Sequence, residues 1–571
     1  MNKKIIIEKV LEYSDIFPDK KELDVYSVLK RYNRELLIKI VNVLGMNYGN
    51  AFMPDTTLFS EISYKRVQEL NARIEFYAPH LKNNRFCYCT QRTTLELLRY
   101  IFSIPVNEYQ NNGKKEDLEY DIFRIILQLN ENLMRFFVDK EHESLSIMTY
   151  FLRYVLNDVT DTDWKNIYQT QLLYFLKLKE FLEKEENKDL YFNVCKKIGI
   201  ESLDEYLITV FGLIQLYINE QEKKRKGCPY LNMMENNKLL SINVCNYLAL
   251  DIKETYQYNN ENVNDRESNI DYRIFRSHPM IKDGEGKYYL YNLPLLCERL
   301  YNSLFFDIKD LYKGNFFQYY NSVFVEQYMF QNIMLECIGK KTTSYFPHKE
   351  NIGDSEMKDQ PDFYIRERDS VFLFECKAIK LNGNLKDKSD INNLIAEIKN
   401  KLYLSSTNID KQRTKKKKVE TVGVTQLVKQ MNLIEDDKFP WDKEIPDEIY
   451  YYPVLVIEDP KIIQVGLTSI INEWYQPLLK EQLADTASYP IIVMSINTLF
   501  RYKDIFRKYG FTKVFDNFLR LHMTRGEKSI DWSIDVLADF NYYMKSSYQP
   551  SVSANAYINK QIGKITELYN Q

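Results

Sequence analysis

The sequence predicts a multidomain protein with a large all-α N-terminal region, a central α/β domain and a helical C-terminal segment. Apolar residues recur at three- and four-residue steps through the first 250 residues, where no proline stands between Pro105 and Pro229. Short runs of β-branched and aromatic residues, bounded by turn residues, follow from about residue 272 to residue 500. A chain of 571 residues is long enough for several such domains.

Composition narrows the classes of function. The chain carries 77 Lys and Arg against 80 Asp and Glu, a net charge of −3, so any basic nucleic-acid site must be local. No apolar run reaches the roughly 18–20 residues that a membrane span requires, and we expect no membrane contact. The eight cysteines are scattered and no secretory signal is recognisable, which favours a cytoplasmic location.

Residues 1–250 are predicted to form an all-helical domain. Ile122, Ile125 and Leu129, for example, recur at the spacing of one helical face. The region carries no recognisable catalytic motif, so we expect it to recognise a partner protein, to form a homo-oligomer or to restrain the central domain. The polar stretch at 251–270 is poor in aliphatic residues and marks the predicted boundary.

Residues 251–313 are predicted to be a linker followed by a hairpin that leads into the next domain. The runs Tyr272–Ile281 and Lys287–Tyr291 flank the turn sequence Asp283–Gly286, which is typical of a β-hairpin. A helix is predicted to follow at Pro294–Phe306. This segment carries no predicted site residue.

The stretch 360–380, QPDFYIRERDSVFLFECKAIK, is the centre of the predicted α/β domain. Its two apolar runs, Phe363–Ile365 and Val371–Phe374, consist of β-branched, aromatic and leucine residues. A charged turn separates them. This is the pattern of two antiparallel strands joined by a hairpin.

Three residues at the ends of this hairpin, Asp362, Glu375 and Lys377, carry the predicted chemistry. Side chains alternate along a strand, so Glu375 and Lys377 point to one face while Cys376 points to the core. Pairing across the turn places Asp362 close to Glu375, and two neighbouring carboxylates repel each other unless a cation lies between them. Mg²⁺ or Mn²⁺ suits such a site, with Asp362 and Glu375 as ligands. Lys377 can orient or deprotonate an attacking water, so the arrangement predicts metal-assisted phosphodiester hydrolysis.

Pro361-Asp362 followed by Glu375-Cys376-Lys377 resembles the signature of the PD-(D/E)xK, or restriction-endonuclease-like, nuclease superfamily. The resemblance covers roughly residues 314–500. It implies a nuclease core with a mixed sheet flanked by helices, and a Mg²⁺-dependent (endo)nuclease that acts on nucleic acid, with DNA favoured over RNA. Members that act in restriction, repair and anti-phage defence join such a core to further domains. The large helical region here fits a role in bacterial defence or restriction by that analogy.

The resemblance implies two further site residues. Superfamily members often carry a glutamate on the helix before the first core strand, where it can contribute to the metal site. Glu326 in the predicted helix Gly314–Cys337 matches that element. Some branches place a glutamine on the helix after the E-x-K strand, and Gln426 in the predicted helix Val422–Ile434 is the candidate because apolar residues follow it. One branch has a tyrosine four positions later, where this chain has Gln430.

The remaining runs complete the predicted core, with aliphatic strands on either side of a helix that indicates a parallel crossover. In order, the predicted elements are a strand at Thr342–Pro347, a helix at Lys386–Leu404, a strand at Tyr451–Ile457, a helix at Leu467–Leu479 and a strand at Pro490–Ile496. Residues 501–571 are predicted to be helical.

A basic run follows the hairpin and carries six positive charges in eight residues, at Lys411, Arg413, Lys415, Lys416, Lys417 and Lys418. Such a run repels itself in the absence of a partner. Its position predicts a loop that grips nucleic-acid phosphates, while a solvated loop explains the same charges equally well.

Two other interpretations stay open. The chain could be a nuclease fold without activity that binds nucleic acid or acts as a scaffold, although Asp362, Glu375 and Lys377 are all intact. Alternatively, the match at 360–380 is accidental and the chain is a helical interaction protein. Divalent-metal binding to the wild type and to Asp362→Ala distinguishes an active site from both alternatives.

Overall fold

Helices dominate the residues that the structure describes, and two mixed β-sheets lie among them. The computed structural model describes residues 9–46, 64–79, 86–137, 164–222, 231–232, 240–252, 272–347, 360–381, 391–409, 416–463, 466–523 and 539–570. In these residues no helix is both long enough and apolar enough to cross a membrane. The described chain is therefore a mixed α/β protein.

The first part of the chain is mainly helical and has a hydrophobic core of its own, although the sequence predicts helices alone and the described residues include short strands. Its helices are Tyr13–Ile16, Val25–Leu29, Arg34–Met46, Tyr64–Tyr77, Gln91–Ser103 and Lys115–Phe137. Strands β1 (Lys9–Val10) and β2 (Phe86–Cys87) form a short parallel pair. The longest helix buries Ile122, Ile125 and Leu129, the apolar face recognised in the sequence.

A small mixed sheet follows. Its strands are β3 (Leu231–Asn232), β4 (Ala249–Asp251), β5 (Met280–Lys282) and β6 (Lys287–Leu290), in the order β3-β6-β5-β4. Strands β5 and β6 form the predicted hairpin, where Asp283 Oδ1 accepts the backbone N–H of Lys287 at 2.8 Å. The segment before β5 is a helix, Arg273–Ser277, and not the predicted strand. Tyr272 and Phe275 are three residues apart and both buried, and residues at this spacing lie on one face of a helix.

The larger sheet contains five strands, namely β7 (Ser344–Pro347), β8 (Phe363–Glu367), β9 (Ser370–Lys377), β12 (Tyr450–Ile457) and β13 (Ile492–Ser495). Their order across the sheet is β13-β12-β9-β8-β7. β7, β8 and β9 are antiparallel, while β12 is parallel to both β9 and β13. The crossover between β12 and β13 runs through the helix Leu467–Gln482, as predicted. Between β9 and β12, strands β10 (Leu404–Ile409) and β11 (Lys416–Thr421) form a separate antiparallel pair.

Alternation along the strands divides the side chains of this sheet between two cores. Phe372 and Phe374 face one core, while Val371 and Leu373 face the other. The second core is covered by the helices Ile391–Leu402, Val424–Glu435 and Leu467–Gln482. The first core is covered by helices from distant parts of the sequence, namely Trp164–Leu182, Lys188–Ile198, Leu203–Glu222, Ile242–Leu248, Leu293–Glu298, Leu304–Lys309, Phe316–Cys337, Ile496–Tyr509, Phe511–Met523, Phe540–Ser547 and Val552–Asn570.

The boundaries of the hydrophobic cores differ from the predicted domain boundaries. The helices at 164–248 pack in the same core as the five-stranded sheet, and so do Phe511, Phe540 and Ile565 from the C-terminal segment. The helices between residues 13 and 137 form a separate core, to which Tyr272, Phe275 and Leu295 also belong. Most of the predicted linker, residues 253–271, lies outside the described residues. The region before residue 250 is thus divided between two cores, because its second group of helices supplies one face of the large sheet.

Tyr174, in the first core, hydrogen-bonds to the backbone just beyond the ends of two strands. Its hydroxyl donates to the carbonyl of Glu458 at 2.9 Å and accepts the N–H of Asn497 at 3.2 Å. Tyr174→Phe leaves both backbone groups buried without that partner, so we expect the free energy of unfolding to fall by about 1–3 kcal/mol. Tyr168→Phe is the matched control because the Tyr168 hydroxyl is buried without a hydrogen-bond partner. Equal losses in both variants, measured by urea denaturation, would contradict this role.

Candidate active site

The β8–β9 hairpin brings together the residues predicted from the sequence. Phe363 pairs with Phe374, which places Asp362 and Glu375 next to each other one step beyond that pair. The backbone N–H of Cys376 donates to Asp362 Oδ2 at 2.7 Å. Glu375 and Lys377 lie on the same face, with Lys377 Nζ 2.5 Å from Glu375 Oε1. Side-chain alternation and strand pairing therefore produce the predicted cluster.

Glu326 joins the cluster from the helix that precedes the sheet. Its Oε1 lies 4.0 Å from Lys377 Nζ and accepts a hydrogen bond from Asn321 Nδ2 at 2.8 Å. The predicted single helix consists of an α-helical turn at Phe316–Tyr319, a π-helical segment at Tyr320–Phe330 and an α-helix at Gln331–Cys337. The π-helical segment could not be read from apolar periodicity.

The glutamine at the site is Gln430, and the expectation for Gln426 requires correction. Gln430 is fully buried and its Nε2 donates to Glu375 Oε2 at 3.1 Å. Gln426 Oε1 instead accepts the N–H of Gly423 at 2.8 Å and caps the helix Val424–Glu435. The helix begins at Val424, so Gln426 occupies its third position, where a side chain can reach back to the first turn. Gln430 lies one turn further on, facing β9.

The cluster holds more negative than positive charge. Glu326, Asp362 and Glu375 face Lys377, whose ammonium is the one cation that interacts with all three carboxylates among the described residues. The side chain of Glu375 is 1% exposed, and those of Glu326 and Lys377 are 15% and 16% exposed. Water therefore solvates these charges poorly, and their mutual repulsion is strong.

The pKa values of the site follow from this imbalance. Burial raises the pKa of Glu326, and the neighbouring Asp362 raises it further. Burial also raises the pKa of Asp362, and burial together with Asp362 raises the pKa of Glu375 to about 7. Burial alone would lower the pKa of Lys377, but Glu375 and the other two carboxylates outweigh it and raise that pKa. Lys377 is therefore a cation near neutral pH.

The donor set fits a small divalent cation that takes few protein ligands. Within the described ranges, no three His, Cys, Asp or Glu side chains are grouped as a ready-made metal site. Mg²⁺ does not require one, since it binds through one or two carboxylates and keeps water or substrate oxygens as its other ligands. Asp362 and Glu375 supply two carboxylates, and their oxygens have lone pairs beyond those used in hydrogen bonds. Gln430 Oε1 is buried beside them without a hydrogen-bond partner.

A second buried charge cluster, which the sequence analysis missed, adjoins the site. Glu458 directly follows β12, and its backbone N–H donates to the carbonyl of Lys377 at 3.0 Å. Its side chain is fully buried, 3.0 Å from Lys380 Nζ and 2.9 Å from the hydroxyl of Tyr320. The available sequence clue was an acidic residue directly after a buried strand parallel to β9, because parallel strands end at the same edge of a sheet.

The basic run is only partly described. Lys416, Lys417 and Lys418 lie on β11, paired with residues 407–409 of β10, so this part is a strand and not a loop. Lys411, Arg413 and Lys415 lie outside the described residues. The hairpin that carries the three described lysines leads directly into the helix Val424–Glu435, which contains Gln430.

Comparisons with protein-family models, curated proteins and solved structures give no significant match.

The raised pKa of Glu375 predicts a specific dependence of stability on pH. Between the ordinary value of 4.5 and about 7, the folded state keeps a proton that the unfolded state has lost. Stability should therefore fall as pH rises through this window when no divalent cation is present. Glu375→Gln removes this contribution, so its melting temperature should fall less than that of the wild type between pH 5 and pH 7.5, measured in EDTA. If the melting temperatures of the two proteins fall equally between pH 5 and pH 7.5, Glu375 does not titrate in this window.

Proposed function

We propose that the chain is a metal-dependent nuclease that hydrolyses phosphodiester bonds of nucleic acid. The observation that carries the proposal is the cluster of three largely buried carboxylates, Glu326, Asp362 and Glu375, around the single ammonium of Lys377. Such an excess of buried negative charge is costly, and a bound cation relieves it. The cluster also contains the residues that resemble the PD-(D/E)xK signature.

Each residue of the cluster has a proposed role. Asp362 and Glu375 would hold Mg²⁺ or Mn²⁺, and Glu326 would add negative charge beside them. The bound ion would polarise the phosphate and lower the pKa of a water molecule. Gln430 donates to Glu375 Oε2 and fixes the plane of that carboxylate.

Lys377 would act on the substrate side of the site. Its ammonium is held by Glu375 and lies 4.0 Å from Glu326, so its position is set by two acidic partners. From there it would orient the attacking water and offset the negative charge that builds up on the phosphate. Since its pKa is raised, its role as a cation is favoured over its role as a proton acceptor.

The proposed substrate is nucleic acid, with DNA favoured over RNA on the resemblance. The net charge of −3 gives the whole chain no general affinity for polyanions. Lys416, Lys417 and Lys418 are consecutive residues of β11. A role in bacterial anti-phage defence or restriction is proposed by analogy of architecture, with the separate core of residues 13–137 as the part that recognises a partner or forms an oligomer.

A cleavage assay tests the proposal directly. Plasmid DNA, linear DNA and RNA are incubated with the wild type in Mg²⁺ and in Mn²⁺. We expect Asp362→Ala and Glu375→Ala each to abolish cleavage, because each removes a proposed metal ligand. Lys377→Ala should lower the rate by roughly 100-fold or more, with a smaller effect on metal affinity. Asp369→Asn is the control, since this exposed carboxylate lies in the turn at the opposite end of the same hairpin.

The results of the cleavage assay distinguish an active nuclease from the alternative interpretations. Cleavage by the wild type and by Asp369→Asn, but not by the site variants, supports the nuclease. Nucleic-acid binding with neither cleavage nor divalent-metal binding would instead favour a nuclease fold without activity. Cleavage by Asp362→Ala at the wild-type rate would contradict the assignment of the site.

The basic strand predicts a change in the salt dependence of DNA binding. Replacing Lys416, Lys417 and Lys418 by Gln should flatten the slope of log K against log salt by up to about 2.7, since each lost phosphate contact contributes about 0.9. The control replaces the exposed Lys114, Lys188 and Lys438, which changes the net charge equally at other places. Fluorescence anisotropy with labelled DNA in Ca²⁺ measures both slopes. Equal slopes in the two triple variants would show that β11 contacts no phosphate.

A further inference from the structure

Asn321 links the end of β9 to Glu326. Its Oδ1 accepts the backbone N–H of Ala378 at 2.9 Å, and its Nδ2 donates to Glu326 Oε1 at 2.8 Å. A backbone N–H can only donate, so the contact with Ala378 fixes which end of the amide faces Glu326. The carboxylate therefore receives an N–H donor, and its orientation is tied to the strand that carries Glu375 and Lys377.

The π-helical segment makes this contact possible. Asn321 and Glu326 are five residues apart, and five residues in an α-helix turn through about 500°, which leaves the two side chains about 140° apart. The i→i+5 hydrogen bonding of a π-helix brings such residues nearly onto one face. The segment Tyr320–Phe330 has this conformation. π-Helical turns are rare in proteins, and those that are found often lie at functional sites.

The start of the segment is anchored at two neighbouring strand ends. The hydroxyl of Tyr320 donates to Glu458 Oε1 at 2.9 Å, beyond the end of β12. Glu458 in turn donates its backbone N–H to the carbonyl of Lys377 at 3.0 Å. Tyr320 and Asn321 are consecutive, so the segment is held to β12 and β9 at the point where Asn321 reaches Glu326.

We propose that Asn321 is a positioning residue that holds the Glu326 carboxylate in the orientation needed for cation binding. This inference rests on the proposed function and deepens it. Glu326 Oε1 lies 4.0 Å from Lys377 Nζ, beyond hydrogen-bond distance. Without the Asn321 donor, Glu326 is free to turn and pair fully with Lys377. That pairing would draw the Glu326 carboxylate away from the proposed cation site. It would also draw the Lys377 ammonium away from its place beside the substrate.

Mn²⁺ binding to the full chain, measured by calorimetry at fixed pH, tests the proposal. Asn321→Ala should weaken binding by about tenfold, the effect typical of residues that orient metal ligands. Asn472→Ala is the matched control. Asn472 also bridges a helix to a strand end, since it accepts the N–H of Ile491 at 2.8 Å and donates to the Ile491 carbonyl at 3.0 Å, but no carboxylate contacts it in the described residues. The Asn472→Ala variant should be less stable than the wild type but should bind Mn²⁺ with the same affinity. Where Asn321→Ala does not fold, Asn321→Ser takes its place.

A double-mutant cycle with Glu326→Gln separates positioning from general damage. If Asn321 acts through Glu326, then Asn321→Ala should change Mn²⁺ affinity less than twofold in the Glu326→Gln background. A tenfold loss in both backgrounds, or no loss in the wild-type background, would overturn the role of Asn321 and leave the proposed function intact. Absence of Mn²⁺ binding to the wild type itself would overturn the proposed function, and the role of Asn321 with it.

Discussion

The charge imbalance at the end of the β8–β9 hairpin is the constraint on which the site depends. Three carboxylates and one ammonium lie where water reaches them poorly, so the folded chain holds Glu326, Asp362 and Glu375 close together against their repulsion. Backbone and amide donors offset part of this cost, from Cys376 to Asp362, from Asn321 to Glu326 and from Gln430 to Glu375. The donors hold the carboxylates in place without neutralising them, and this is the condition for a cation site.

The architecture around the hairpin makes this arrangement rigid. Both faces of the five-stranded sheet are covered, one by helices that follow β9 in sequence and the other by helices drawn from residue 164 to residue 570. The far end of the hairpin is fixed as well, because the Glu367 carboxylate accepts the N–H groups of Phe511 and Thr512 at 2.9 Å. A hairpin anchored at both ends keeps its register, and the register places Asp362 beside Glu375.

The sequence predicted those parts of the site that depend on local periodicity. The alternation of β9 places Glu375 and Lys377 on one face, and it needs only the identification of the strand. Gln426 was predicted to face the site, but Gln430 does so. The difference depends on where the helix begins, and Gly423 sets that start with a positive φ of 52°. A single turn of helix then decides which glutamine faces β9 and which one caps the helix.

The division of the hydrophobic cores and the contact between Asn321 and Glu326 could not be predicted from the sequence, because both depend on tertiary packing. The helices at 164–248 are amphipathic in sequence, but their apolar face does not reveal which surface it covers. In an α-helix, the five-residue spacing of Asn321 and Glu326 would place their side chains on different faces. The π-helical segment brings them nearly onto one face. Long-range packing and local helix type are both decided by tertiary contacts.

Crystallographic localisation of Mn²⁺ by its anomalous scattering is the most direct test of whether Asp362 and Glu375 hold a divalent cation. We predict an anomalous peak within about 2.0–2.6 Å of carboxylate oxygens of Asp362 and Glu375 in the wild type. The same peak should be missing from crystals of Glu375→Ala grown in the same Mn²⁺ concentration. An anomalous peak at another place with none at this cluster, under conditions where Mn²⁺ binding is saturated, would contradict the account.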